Sequence, residues 1–121
     1  MDKLTINNPD GTLEVEVREE VIAIIAALAA TETEGIYSMA GGITNEIIAR
    51  LGWKNLAAGV NVELKEGAAI IDLALVAEMG ANIPEVSERA QEKVAAAVEN
   101  MTGLKVREVN VRIANVHIEN S

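Results

Sequence analysis

The stretch Asn82–Ile113, NIPEVSERAQEKVAAAVENMTGLKVREVNVRI, reads as a helix, a stop and a strand in direct succession. Asn82 or Ile83 is expected to cap the helix, with Pro84 in the first turn, where its missing N–H costs nothing. Gly103 ends the helix. Apolar residues then alternate with charged or polar ones, which predicts a strand. Nothing in this stretch is suited to catalysis.

This helix has one apolar stripe and one charged face. The predicted buried stripe consists of Val86, Ala90, Val94, Ala97, Val98 and Met101. Glu85 and Arg89 lie on the wet face as a favourable i,i+4 pair. The strand that follows changes parity after Ile113, which predicts either a bulge or a strand end near Ala114 and Asn115.

The other elements follow from the same patterns. Leu13–Val17 alternates like a half-buried strand, and helices are predicted over Glu19–Thr33 and Ile43–Leu51. Val60–Lys65 and Ile71–Leu75 form a predicted hairpin around a Glu-Gly turn. The expected fold is therefore α+β, a two-layer β-α-(α)-β-β-α-β arrangement with a sheet of about four strands and helices packed on one face. We expect one domain over residues 11–118, with polar tails at 1–10 and 119–121.

The first helix is apolar around most of its circumference. Its bulky arc is expected to face the sheet, and that arc contains Val21, Ile22, Ile24, Ile25 and Leu28. The opposite arc would then be an outer face of alanines: Ala23, Ala26, Ala27 and Ala30. Such a smooth face is either an interface with another subunit or simply solvent-exposed, since Ala is the best helix former.

Composition excludes several classes of function. The 121 residues contain no cysteine, so disulfides, thiolate metal sites and a cysteine nucleophile are ruled out. Nineteen acidic against ten basic side chains give a net charge of −9, which disfavours nucleic acid and anionic membranes as partners. The first residues lack a signal-peptide pattern and the longest apolar run, Val21–Ala30, is too short to span a bilayer. We therefore expect a cytoplasmic protein without direct membrane insertion.

Residues with catalytic potential are few. His117 is the only histidine, and it serves either as a general base with a distant partner or, more simply, as a solvated strand residue. Two carboxylate pairs are candidates for acid–base chemistry, although the charge normally carried by helix ends and exposed sheet faces explains them better: Glu32 with Glu34, and Asp72 with Glu78. No calcium-loop pattern is present. We predict no catalytic, cofactor or metal site.

Two loops remain open to interpretation. Gly41 and Gly42 form either a hinge or a weak anion site at the N-terminus of the next helix. Trp53 lies between Gly52 and Lys54, where it serves either as an interface anchor or as a lid over the end of the core. The predicted interface residues are thus Ala23, Ala27, Ala30 and Trp53.

Three stretches resemble the alkaline-shock-protein family of envelope stress response proteins in Gram-positive bacteria. They are TETEGIYSMAGG at Thr31–Gly42, LGWKNLAAGVNVEL at Leu51–Leu64 and NIPEVSERAQEKVAAAVENMTGLKVREVNV at Asn82–Val111. The resemblance implies a non-enzymatic cytoplasmic protein of stress tolerance and cell-envelope homeostasis, with no cofactor. It also implies self-assembly, or membrane association through a separate anchored partner.

Two functions follow from these observations. The first is a protein-interaction or self-assembling scaffold module, acting through the alanine face, sheet edges and the Trp53 loop. The alternative is a small regulatory domain that binds an apolar metabolite or acyl chain in a pocket between the helix layer and the sheet, lined by Ile, Leu and Met101. An enzyme would require Glu32, Glu34 and Asp72 to converge.

Overall fold

The protein is described by a computed structural model over residues 2–8, 11–51 and 59–118, with side chains described over 18–50 and 59–118. In chain order the elements are β1 (Asp2–Asn8), β2 (Gly11–Val17), α1 (Glu19–Glu32), β3 (Ile36–Met39), α2 (Asn45–Leu51), β4 (Val60–Lys65), β5 (Ala68–Glu78), α3 (Ile83–Thr102) and β6 (Lys105–His117). The predicted α+β class, with a four-stranded sheet and helices packed on it, is confirmed.

Strand β5 is the centre of the main sheet. It pairs in parallel with β6 over its whole length, from Ala68 to Glu78. It also pairs antiparallel with β4 and with β3. Because β6 occupies one entire edge of β5, β4 and β3 follow one another along the other edge. Ala74 marks the junction, since its N–H donates to Gly59 and its carbonyl accepts from Ala40.

The predicted hairpin and bulge are both confirmed. β4 and β5 are joined by Glu66 and Gly67, whose φ angles of 52° and 78° are the left-handed pair required by a two-residue type I′ turn. The register between β5 and β6 shifts where Ile113 pairs with Leu75 and Asn115 pairs with Val76. Ala114 is therefore the extra residue of the bulge.

Helix α3 is bounded as predicted. The Asn82 side chain accepts from the Glu85 N–H at 3.2 Å, and Gly103 adopts a φ of 76° while its own N–H donates to the Glu99 carbonyl at 2.9 Å. The predicted pair of Glu85 and Arg89 is present. Val86, Ala90, Val94 and Val98 are buried, as expected. Ala97 is only partly buried, and Met101 in the last turn is 72% exposed, so the prediction that these two are buried is wrong.

The N-terminal prediction is wrong in two respects. Residues expected to form a polar tail instead form β1, which pairs antiparallel with β2 in a separate two-stranded sheet. The first predicted strand is therefore not a member of the main sheet. Its place is taken by β3, a four-residue strand that the sequence analysis does not predict. The count of four strands is right, but one member differs.

The predicted orientation of α1 is also wrong. Its alanine arc faces inward: Ala26, Ala27 and Ala30 are all 0% exposed. Ile22 and Ile25 are buried as expected, whereas Val21 is exposed and Ile24 and Leu28 are only partly buried. The reason is that α1 contacts α2, α3 and three strands of the sheet, so most of its circumference is covered. Small side chains on the covered sides permit these close approaches.

The side chain of Asn45 at the start of α2 holds that helix against α1. Its Nδ2 donates to the Leu28 carbonyl at 3.2 Å and to Thr31 Oγ1 at 3.0 Å. Thr31 Oγ1 in turn donates to the Ala27 carbonyl at 2.7 Å. Below these helices, one core joins the helix layer to the inner face of β5, and its largest members are Ile22, Met39, Ile71, Leu73, Leu75, Val94 and Val98.

Candidate functional site

An apolar groove of about 400 Å³ runs between α1 and α3 on the outside of the helix layer. Two side chains at one end of it are well exposed, Met101 at 72% and Val21 at 44%. The full lining consists of Val21, Ile24, Ile25, Leu28, Ala29, Glu32, Ala97 and Met101. We call this surface the α1–α3 groove.

The α1–α3 groove exists because α1 is apolar on more sides than the described part of the fold covers. Once the alanine arc is packed inward, Val21, Ile24 and Leu28 occupy the arc that remains. A solvated helix normally carries charged residues there. Contiguous exposed apolar surface of this kind typically marks a site of interaction with another molecule.

The two ends of the groove differ in character. The end with Val21 and Met101 is apolar. The other end carries charge: Glu32 is part of the lining, and Lys93 on α3 reaches across to it, with its Nζ 3.5 Å from the Glu32 backbone carbonyl. Because α1 begins where α3 ends, the two helices run antiparallel along the groove. The lining itself is therefore apolar at the Val21 end and includes Glu32 at the other, although the exposed residues 18–20 that precede Val21 are charged too.

The alanines predicted to form an interface lie elsewhere. Ala27 and Ala30 are fully buried inside the chain, and Ala23 is partly buried. The first two have no surface to offer a partner, so the expectation of an outward alanine face is corrected. Trp53 lies outside the described residues. The exposed surface lies on the opposite arc of α1 and was not predicted. Its only signal in the sequence is a set of bulky apolar residues at helical spacing.

The predicted ligand pocket is displaced as well. The space between the helix layer and the sheet is occupied by core side chains such as Ile71 and Leu73, which are at most 2% exposed. Met101 does line an apolar cavity, but that cavity is the α1–α3 groove. An apolar ligand would therefore bind on the outside of the helix layer.

The candidate carboxylates do not converge. Glu32 and Glu34 lie at the end of α1, in the helix layer. Asp72 lies on the outer face of β5, because its neighbours Ile71 and Leu73 point into the core, and its carboxylate accepts from Asn110 at 2.8 Å. The sheet separates the two groups. This arrangement gives no acid–base pair from those residues.

His117 lies against an aromatic partner rather than in open solvent. Its ring stacks on that of Tyr37, with centroids 3.7 Å apart and planes 4° apart. The stack connects β6 to β3 at one end of the sheet, beside an open groove of about 620 Å³ that includes Gly41 and Gly42. Those two glycines have φ angles of 91° and 84° and form the turn that returns the chain to pair Ile43 with Met39. Their role in the described structure is that of a turn.

The outer face of the sheet offers a second, more polar surface. A groove of about 440 Å³ crosses it, and it includes Asn61, Asp72, Asn110 and Arg112. The Asp72 and Asn110 side chains already bind each other there. The α1–α3 groove is the more apolar of the two, and it is the better candidate for a docking surface.

Comparison with known proteins agrees with the resemblance described above. A family model for alkaline-shock protein 23, with a cell envelope-related function, matches residues 7–118. The chain belongs to the alkaline-shock protein 23 family. The match covers α1, α3 and the whole main sheet, so the α1–α3 groove lies within the family domain.

Two of the relatives to which this chain is similar are named as uncharacterized proteins. YqhY of Bacillus subtilis is 34% identical over 87% of this chain and 78% of its own length. YloU of the same organism is 34% identical over 88% of this chain and 91% of its own length. A stress response regulator gls24 homolog of Streptococcus pyogenes is 30% identical over 81% of this chain, which spans 55% of that longer protein. No solved structure matches the chain.

Two further observations concern the part of the chain that the structure describes. Within it, no helix is long and apolar enough to cross a membrane. Across residues 18–50 and 59–118, no three histidine, aspartate or glutamate side chains are grouped so that they could hold a metal ion.

Proposed function

We propose that this protein is a non-enzymatic, cytoplasmic protein-interaction module of the cell-envelope stress response, which works by docking its α1–α3 groove onto another protein surface. That surface belongs either to a second copy, as in a self-assembling scaffold, or to a membrane-anchored protein. The observation that carries the proposal is the exposure of Val21 and Met101 at the mouth of an apolar groove.

Physical chemistry supports a docking role for this surface. Leaving Met101 and Val21 in water forgoes about 25 cal/mol for each Å² of apolar area that a partner would cover. Methionine is also well suited to a docking surface, because its unbranched side chain adapts to irregular gaps. The high negative charge keeps the chain soluble while this apolar surface is unoccupied.

Site-specific photocrosslinking in the native cell tests this proposal. A photoreactive amino acid replaces Met101 in one strain and, as a control, replaces Glu88, which is exposed on the outer side of α3. We expect a discrete crosslinked product from position 101, either with a second copy or with another identified protein. Adding Val21→Glu to the same chain is expected to remove the product. Equal labelling at positions 88 and 101 would overturn the proposal.

The same groove supports a second candidate function, a small regulatory domain that binds an apolar metabolite or acyl chain. Its volume of about 400 Å³ falls within the range of small-molecule sites, and its lining is almost entirely aliphatic. Native mass spectrometry of protein purified from its own host tests this alternative. A stoichiometric added mass that Met101→Glu removes supports it, and an unmodified mass for the wild-type chain rejects it.

A further inference from the structure

We infer that the outer edge of β6 binds an extended segment of another protein as an added β-strand, over residues 111–113, and that this segment is acidic on one face and apolar on the other. The surface is separate from the α1–α3 groove. The inference therefore goes beyond the proposed function and does not depend on it.

The contacts of α3 show which backbone groups lie on the outer edge of β6. The Val109 carbonyl accepts from the Gln91 side chain of α3, so it points away from β5. Alternate residues of a strand direct their N–H and C=O groups to the same edge. Val111 and Ile113 therefore also direct these groups away from β5, along the edge that β5 does not cover.

Side chains occupy this edge on both sides of residues 111–113. Before that stretch, in addition to the contact just described, Glu99 accepts from the Val106 N–H. After it, the Asn115 side chain accepts from the Val116 N–H at 2.8 Å. Between these contacts, no group of the described residues binds the outer N–H or C=O groups. We call the open stretch, residues 111–113, the β6 window.

An open stretch between capped flanks is suited to the addition of one short strand. Unpaired N–H and C=O groups on a strand edge pair readily with another extended chain. In such complexes the main-chain hydrogen bonds supply affinity and the alternating side chains supply specificity. The bulge at Ala114 bends the edge away beyond the window, which limits the length of the added strand.

The two faces of the β6 window select different side chains. On the inner face, Val111 and Ile113 are partly buried against the core, and Val116 beyond them is 38% exposed. On the outer face, Arg112 is exposed, and no carboxylate of the described residues forms an ion pair with it. Neighbouring strands place their side chains next to one another on each face. The added strand is thus apolar on its inner face and acidic beside Arg112.

Charge favours a different protein over a second copy of this chain. β6 carries Lys105, Arg107 and Arg112 against the single acid Glu108, although the chain as a whole has a net charge of −9. Two copies of β6 paired antiparallel about the centre of the window would place Arg112 opposite Arg112. Like charges directly opposite destabilise a strand pair, whereas an acidic segment gains an ion pair at the same position.

Titration with a synthetic peptide tests the inference on the full chain. The probe is a short peptide of alternating valine and glutamate with blocked ends, added to isotope-labelled protein and followed by NMR. We expect the Val111 and Ile113 amide signals to shift and their hydrogen exchange to slow, with a dissociation constant of roughly 100 μM because the contact is short. The same peptide with lysine in place of glutamate, and one with methylated backbone nitrogens, should each bind at least about tenfold more weakly.

Two substitutions in the window check the two parts of the recognition. Arg112→Glu is expected to weaken binding of the acidic peptide roughly fivefold and to strengthen binding of the lysine peptide. Lys105→Glu is the matched control, because it makes the same charge change on β6 outside the window. Val111→Pro removes an outer N–H without removing a hydrogen bond to β5, so it should abolish binding. Val111→Ala keeps that N–H and should bind within about threefold of wild type. Urea unfolding checks that each variant is folded.

Several results would overturn the inference. They are unchanged Val111 and Ile113 signals at millimolar peptide, equal binding of the acidic and lysine peptides, and equal effects of Arg112→Glu and Lys105→Glu. A shift of the same amide signals with protein concentration alone would show that a second copy occupies the window, and would also reject it.

These results are independent of the test of the proposed function. If the peptide binds at the window but photocrosslinking from position 101 gives no specific product, the inference stands and the proposed function of the α1–α3 groove fails. If position 101 crosslinks to an identified protein and the peptide does not bind, only the inference fails.

Discussion

The side chain of Val86 on α3 lies directly over Gly35, the residue that turns the chain between α1 and β3. A Cβ added to Gly35 would lie 2.6 Å from Val86 Cγ2, closer than a carbon–carbon contact allows. Gly35 also has a φ of 95°, and its carbonyl accepts a hydrogen bond from the Glu78 N–H. This contact fixes the distance between the helix layer and the end of the sheet.

Gly35→Ala is therefore expected to destabilise the protein by about 2–5 kcal/mol, from overpacking together with the left-handed backbone. Gly67→Ala is the matched control, because Gly67 has a similar φ of 78° but open space at its Cβ. It should lose only the backbone contribution, about 1–2 kcal/mol. Urea unfolding measures both, and equal losses would show that the contact with Val86 is not tight.

Asn45 provides a second test of how the helices are held together. Asn45→Ala removes two hydrogen bonds to α1 and is expected to cost about 1–3 kcal/mol. Asn45→Asp should cost more at neutral pH, because a carboxylate cannot donate to the two oxygens that it would face.

The Asn45→Asp variant also has a distinct pH dependence. Apposition to oxygen atoms favours the protonated acid in the folded state and so raises the pKa of the introduced carboxyl. A raised folded-state pKa means that stability is gained as the pH falls through the carboxyl range. Measured against Asn45→Ala at each pH, Asn45→Asp should therefore recover stability on acidification. A constant difference between the two variants would contradict this.

The orientation of α1 can be tested by comparing a charge introduced into its alanine arc with a charge introduced at the exposed part of the α1–α3 groove. Ala27→Glu buries an unpaired carboxylate in the core, at a cost of several kcal/mol that is comparable to the whole stability of a small domain. Met101→Glu changes a side chain that is 72% exposed and should alter stability by about 0.5 kcal/mol or less. Far-ultraviolet circular dichroism with urea titration distinguishes them. An Ala27→Glu protein that remains folded would indicate that the alanine arc of α1 faces outward after all.

Local signals predicted α3 and the hairpin because each carries its own boundaries. Asn82 and Gly103 cap α3, and Glu66 with Gly67 closes the hairpin. No such signal marks β3, because its four residues include the buried Ser38 and owe their conformation to pairing with β5. Its partner strand is more than 30 residues away in sequence. Pairing between distant segments is what the local pattern does not contain.

The candidate site was missed for a related reason. A helix that is apolar on nearly all sides has no unique buried arc, so the choice between alanines and bulky residues depends on its neighbours. The residue Ala27 faces inward because α1 is enclosed by α2, α3 and the sheet. That enclosure is a property of the assembled fold. Met101 continues the apolar stripe of α3 by its spacing, but its side chain in the last turn is exposed.

Among the described residues β6 pairs only with β5, and its other edge provides the last prediction. β6 pairs with β5 on one side, and two side chains of α3 bind backbone groups of β6. Gln91 Nε2 donates to the Val109 carbonyl at 2.9 Å, and Glu99 Oε2 accepts from the Val106 N–H at 3.0 Å. Unpaired backbone groups at a sheet edge are a template for pairing with another chain. We interpret Gln91 and Glu99 as protection of this edge.

Removing that protection should promote association between sheets. The double variant Gln91→Ala with Glu99→Ala is expected to lose about 1–2 kcal/mol of stability and to form thioflavin-positive aggregates faster than wild type. Asn100→Ala with Glu92→Ala is the matched control, because it also removes one amide and one carboxylate from exposed positions of α3. If both doubles aggregate at the same rate, the lost charge is responsible and the edge is not protected by these contacts. If only the first does, the two side chains of α3 keep β6 from pairing with other molecules.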